Sequence, residues 1–338
     1  MSKKNRLIAF GAAASMIVLI LDGKTALYGA SEGISLCISS LIPTLFPFIL
    51  LSILITSALS GQAISFLTPI TSACKMPDGT QSLLLVSLLG GYPVGAQNVA
   101  LLFRRGELTQ SQSARMLAFC NNAGPSFIFG ILGAIFTNRL IPWALWLIQI
   151  SSALFVGLTL PDTQPDGRIH PATIRIRITD ALYQAIKVTS QICAWVIIMR
   201  MVIAFMDSWF LWIFPYPLQV LLSGILELSN GCIRLAEIEN DGLRFILASG
   251  MLTLGGICVT LQTRSVSEGI SMKLYYSGKI LQASISVFLS CLLQFIFPAD
   301  SQCPFMAIIC TFSAAVALIT IFILHFKKSS GIPATVGV

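Results

Sequence analysis

Apolar runs of about twenty residues alternate along this chain with short polar ones, and several of the runs are broken in their middles. Residues 83–102 break at Gly90-Gly91-Tyr92-Pro93-Val94-Gly95, and residues 111–136 break at Asn121-Asn122-Ala123-Gly124-Pro125. Proline removes a helical donor and glycine costs backbone entropy, so a helix does not run through either break. In hydrocarbon the freed backbone groups need partners, so such breaks persist only inside protein or against a polar cavity. Two in succession, each with carboxamides beside it, point to a transport site. Each arm of 83–102 is roughly 8–10 residues, or roughly 12–15 Å, which is half a bilayer.

Taken in order, the pattern predicts a first span over 7–21 behind Lys3, Lys4 and Arg6, an interface helix over 25–40 and a span over 41–59. The broken 83–102 follows, then the charged loop Arg104-Arg105-Gly106-Glu107, the broken 111–136 and a span over 140–160. After a polar stretch at 161–179 the order returns. An interface-like 180–190 leads into apolar 191–205, and a short segment at 218–235 is interrupted at Glu227-Leu228-Ser229-Asn230-Gly231. An acidic loop (Glu237, Glu239, Asp241) precedes 243–262, interrupted around Gly250 and at Gly255-Gly256, and spans over 280–297 and 305–325 close the chain. The division is therefore a first membrane repeat in 1–160, a cytoplasmic linker at 161–179, a second repeat in 180–328 and a tail at 329–338.

Loop charge decides how the short broken segments sit. If 83–102 and 218–235 are both re-entrant hairpins, eight full spans remain and both termini face the cytoplasm. Lys75, Arg104, Arg105, Arg168, Arg175, Arg177, Arg264, Lys273 and Lys279 then also lie inside, as short-loop cations do. Glu237, Glu239 and Asp241 lie outside. The expected fold is an all-α polytopic membrane protein of about eight transmembrane helices plus two re-entrant hairpins in an inverted-topology repeat.

Composition narrows the class further. The 338 residues are 55% hydrophobic and only 10% charged, against about 25% charged in soluble domains. The net charge of +7 sits in short loops, so it reads as membrane orientation and not as a nucleic-acid surface. Nine cysteines without a CxxC pair and two histidines offer no disulfide framework and no zinc site. No HExxH, GxSxG or aspartate-dyad pattern appears on the expected spans, and no Walker A motif occurs, so neither intramembrane hydrolysis nor direct ATP drive is expected, and no cofactor is implied.

The site candidates follow from the breaks. Unwound carbonyls attract cations and helix N-termini attract anions. Gly91, Tyr92, Pro93 and Gly95 form the first hairpin tip; Gln97, Asn98, Asn121, Asn122 and Ser126 supply carboxamides and a hydroxyl beside the two breaks. In the second half Ser229 and Asn230 are the equivalents, and Glu227 is the candidate for H⁺ or Na⁺ coupling. The competing reading of Glu227 is an ion pair with Arg234, Arg244 or Arg200. Arg200, in mid-span, is the candidate anchor for an anionic substrate, or else pairs with Glu227 or snorkels. Arg115 and Arg244, near helix ends, read as structural.

The stretch GGYPVGA (90–96), followed by RRGELTQSQSARMLAFCNNAGPSFIFG (104–130), resembles the YlbJ family of sporulation integral membrane proteins, within the wider group that carries a nucleoside-recognition, or Gate, domain. LIPTLFPFILLS (41–52), LTLGGICVTLQ (252–262) and YYSGKILQASIS (275–286) extend the likeness over most of the chain. The hairpin-then-broken-helix order is similar in architecture to concentrative nucleoside transporters. The resemblance implies a role in endospore formation and movement of dipicolinic acid across the mother-cell-derived outer forespore membrane. ELSNGC (227–232) stands where a GYPVGA-like motif would complete the second half, so any shared site is asymmetric. The expectation is a secondary transporter of a small anionic or nucleoside-like solute, surrounded by lipid and compatible with a homo-oligomer. A nucleoside-type carrier and a non-transporting sporulation scaffold are the alternatives.

Overall fold

The computed structural model describes residues 3–59, 64–161, 177–296 and 306–329. Most of the expected linker at 161–179, with Arg168 and Arg175, and the tail beyond Ser329 lie outside the described residues. Among the described residues every regular element is a helix, and six are long and apolar enough to cross a membrane: Gly23–Leu59, Ile141–Thr159, Ile178–Trp209, Asp241–Val266, Lys273–Phe295 and Met306–His325. The protein is an all-α, membrane-embedded chain.

The first half runs α1 (Lys3–Leu21), α2 (Gly23–Leu36), a π-helical turn (Cys37–Leu41), α3 (Ile42–Leu59), α4 (Thr68–Ala73), α5 (Gln81–Leu89), α6 (Val94–Arg104), α7 (Gln110–Phe119), α8 (Pro125–Gly130) and α9 (Ile141–Thr159). The second runs α10 (Ile178–Trp209), α11 (Tyr216–Leu226), α12 (Leu228–Arg234), α13 (Asp241–Leu254), α14 (Gly256–Val266), α15 (Lys273–Ile296) and α16 (Met306–Ser329). Local chemistry sets the starts. Thr109 and Gln112 form a capping box on α7, Asn240 caps α13, and prolines occupy the first turns of α8, α9 and α11.

Two expectations change. The interface helices do not stand apart: 25–40 continues through the π turn into the next span as one helix of 37 residues, and 180–190 opens a continuous α10 of 32 residues. At 1.5 Å per residue they are about 55 and 48 Å long, more than a hydrocarbon core of about 30 Å. They pack on each other, with Gly29 against Met201 and Gly33 against Ile197. The segment 111–136 breaks where expected, into two short helices, α7 and α8, separated by unwound backbone. Gly250 does not interrupt its segment; α13 runs through it and stops at Gly255.

The core has two main clusters. One joins α3, α8, α9, α10, α12 and α13; the other joins α5, α6, α7, α9, α15 and α16. α9 contributes to both, and α15 packs against α7, α9, α13 and α16. The short helices with their breaks lie between these long elements.

Candidate functional site

Four interruptions converge at the centre. The first is the turn Gly90–Pro93 between α5 and α6, where Gly91 has φ +75° and the Tyr92–Pro93 bond is cis. The second is Cys120–Gly124 between α7 and α8. The two meet backbone to backbone: a methyl group on Gly91 would lie 2.9 Å from the amide nitrogen of Gly124, and one on Gly95 would run into the Cys120 carbonyl. The third is Glu227, extended between α11 and α12; the fourth is Gly255-Gly256, both at positive φ, between α13 and α14. Tyr92 ties the first to the fourth by donating its hydroxyl to the Leu252 carbonyl at 3.1 Å. A cavity of about 50 Å³ lies between them, lined from the first three breaks by Gly91, Tyr92, Gly124, Ser126, Glu227 and Ser229, and beyond the fourth by Val259 and Gln262 of α14.

Glu227 is 3% exposed and caps α12. One carboxylate oxygen accepts from the Ser229 amide (3.0 Å); the other accepts from the Asn230 amide and side chain (both 2.8 Å). A carboxylate fed by three donors at a helix start is stabilised without a cation. The competing reading, an ion pair with Arg234, Arg244 or Arg200, is not what forms. Arg234 instead pairs with Asp207 and donates to Ser223 Oγ (2.7 Å), while Arg244 binds Asp241 (3.0 Å) and the Ile238 carbonyl.

Below the first two breaks lies a polar cluster that the hydropathy pattern does not reveal. Lys279 was assigned to a cytoplasmic loop; it is instead inside α15 and 3% exposed. Its ammonium donates to the Asn121 carbonyl (2.5 Å), Gln282 Oε1 (2.8 Å), and more distantly Asn122 Oδ1 and the Tyr92 hydroxyl (both 3.4 Å). It also lies 5.2 Å from the centre of the Tyr92 ring. Gln282 donates to Asn122 Oδ1 (2.8 Å), Asn122 to the Phe119 carbonyl (2.7 Å), and Gln149 to the Ala123 carbonyl (2.8 Å). Asn121 donates to Thr263 Oγ1 (2.8 Å), while its own Oδ1 is buried without a partner. Carbonyls freed at the second break are thus held from α9 and α15, and α14 holds the Asn121 side chain. Lys279, Gln282, Gln149, Thr263 and Gln262 were not foreseen; a Lys-x-x-Gln pair on the face of an apolar helix is the signal that marks two of them.

The structure brings Gly91, Tyr92, Ser126, Glu227 and Ser229 to the cavity and places Asn121 and Asn122 beneath it. Pro93 and Gly95 shape the first tip, and Asn230 is taken up by Glu227. Arg200 and Asn98 do not reach the cavity. Arg200 lies 3.7 Å from Asp207 and 5.7 Å from the centre of the Tyr28 ring. Asn98 donates to the Val94 carbonyl (2.9 Å) and lines, with Gln97, a separate and larger cleft. Arg115, fully buried, binds the carbonyls of Cys74 (2.5 Å), Gly157 (2.6 Å) and Pro161 (3.1 Å), joining three segment ends. Among the described residues no group of three or more His, Cys, Asp or Glu side chains forms a metal site. No family model, no curated protein and no solved structure matches this chain.

Proposed function

We propose that this membrane protein is a secondary transporter of a small anionic solute, bound where the four breaks meet. The observation that carries the reading is their convergence on one buried cavity. Short helices broken in mid-membrane cost backbone hydrogen bonds, and proteins keep them where a solute or ion must be met. Glu227 at the third break and Lys279 beneath the first two put one acidic and one basic group within this region, both from the second half, and Glu227 is the coupling candidate for H⁺ or Na⁺.

The two hairpins act as gates in this reading. Tyr216 at the start of α11 donates to the Arg234 carbonyl at the end of α12 (3.3 Å), so the second hairpin returns beside its own start. A cavity of about 50 Å³ admits waters or an ion, whereas sites for organic ligands run from roughly 300 Å³ upward, so the solute binds after a hairpin moves. The YlbJ resemblance makes dipicolinic acid the first solute to test and the outer forespore membrane the expected location. Uptake of labelled dipicolinate into proteoliposomes, with uridine as competitor, tests the proposal. Saturable uptake that falls at least about tenfold in Lys279→Met and in Glu227→Gln is expected, since each change breaks a buried charge-assisted hydrogen-bond set. Uptake equal to that of empty liposomes overturns transport of this solute; displacement by uridine reassigns the protein to nucleosides.

A further inference from the structure

A second cavity, a cleft of about 710 Å³, opens beside the first hairpin. Two helical stripes line it. Val94, Gln97, Asn98, Leu101, Arg104 and Arg105 recur at the three-to-four residue spacing of one face of α6 and its end. Gln184, Lys187, Val188 and Gln191 do the same on α10. α3 and α14 close the sides through Ile53, Ser57, Ser265 and Val266. A polar stripe in a membrane protein needs partners, and here two stripes from different halves of the chain share one cleft.

The charge of the lining is one-sided. Among the described residues it holds three cations, Arg104, Arg105 and Lys187, and no carboxylate. Arg105 is 3.8 Å from Glu107, outside the lining, and Arg104 donates to the Val266 carbonyl at 3.3 Å. Lys187 makes no ion pair with the described residues. Gln191 donates to Ser265 Oγ at 3.4 Å across the cleft.

The cleft adjoins the buried cavity. Ile49 lines the cavity and Ile53 the cleft; Tyr92 the cavity and Val94 the cleft; Ile192 the cavity and Gln191 the cleft; Gln262 the cavity and Ser265 the cleft. On four segments the two spaces are therefore at most four residues apart, about 6 Å of helix. The first tip, Gly90–Tyr92, lines the cavity and leads directly into α6, which lines the cleft.

We propose that this cleft is the loading site of the transporter and takes a small organic anion with two acidic groups. Guanidinium forks and an ammonium receive the carboxylates, and the carboxamides of Gln97, Asn98 and Gln184 hold them without adding charge. Movement of the Gly90–Pro93 tip then passes the anion inward. The cleft volume fits such a solute, within the 300–1,000 Å³ typical of ligand sites, and the buried cavity does not. The proposal rests on the transport reading for its role but not for its ligand chemistry.

The test is equilibrium binding of labelled isophthalate, a planar dianion, to the purified full chain in neutral detergent. Saturable binding is expected, weakened at least about tenfold in Arg104→Gln and in Lys187→Gln and unchanged in Lys24→Gln, a matched loss of an exposed charge elsewhere. Unchanged affinity in both cleft variants overturns the site. Absence of isophthalate binding, with phosphatidylglycerol in nanodiscs stabilising the wild type but not Lys187→Gln, also overturns it and makes the cleft a lipid headgroup site. Isophthalate binding without uptake into proteoliposomes refutes transport of that anion and leaves the site standing. Uptake with the same KM in both cleft variants refutes the cleft alone.

Discussion

Lys279 is the residue on which the centre depends. Its ammonium is buried, and the atoms that receive it are a carbonyl, two side-chain amides and a phenol, with no carboxylate among them. Methionine keeps the length of the stem but removes every donor, leaving the Asn121 carbonyl and Gln282 Oε1 facing no proton. Lys279→Met is expected to cost about 2 kcal/mol and to lower the thermal midpoint in detergent, against the small change normal for an exposed lysine. A midpoint equal to wild type would show that the cluster is not structural. The place of Asn121 and Asn122 at a break was legible, because Gly-Pro follows them in an apolar run. Lys279 was not, because it ends a polar run at 264–279 and hydropathy alone assigns it to the loop; only the packing of α15 on α7 and α9 carries it inside. Arg200 is the converse. Mid-span position suggested a ligand, yet Asp207, two helical turns further on, supplies a local partner.

At the scale of elements, the breaks were legible and the long helices were not. Gly-Gly, Asn-Asn-Ala-Gly-Pro and Gly255-Gly256 interrupt a helix for local reasons, and all three do so in the structure. Residues 25–40 contain Ser31, Glu32 and Ser35 among glycines, a composition that reads as interfacial. The glycines among them, Gly29 and Gly33, serve instead for close helix contact, which lipid-embedded helices achieve by shortening the distance between backbones. A methyl group on Gly33 would lie 2.9 Å from the Ile197 Cα, and that position is main chain, so it cannot swing aside. Gly33→Leu is therefore expected to force α2 from α10 and to cost about 3 kcal/mol or more, read as loss of monodisperse protein on size exclusion. Gly11→Leu, where a Cβ meets nothing within 4 Å, is the control and should behave as wild type.

At the scale of the molecule, long-range hydrogen bonds sort the helix ends into two groups, and the groups match the loop charges. Arg104 reaches Val266 and Gln110 reaches Gly269; Arg115 gathers Cys74, Gly157 and Pro161; His325 meets the Thr159 carbonyl. These ends carry Arg104, Arg105, Arg264 and Lys273. A separate set joins Arg244 to Ile135 and Ile238, and Gln294 to Gly242, beside Glu237, Glu239 and Asp241. A basic end and an acidic end at opposite ends of the long helices are what inward and outward faces of a membrane protein present. On this arrangement the first hairpin starts and finishes at the basic end, and the acidic loop follows the second hairpin. The resulting prediction is a labelling pattern. In a background free of native cysteines, Arg105→Cys should react with a membrane-impermeant maleimide only in inside-out vesicles, and Glu239→Cys only in intact cells; both side chains are exposed. Labelling of both from one side would place the hairpins on the same face. That result would rule out the proposed inverted repeat, and with it the case that the two tips gate one solute alternately from opposite sides.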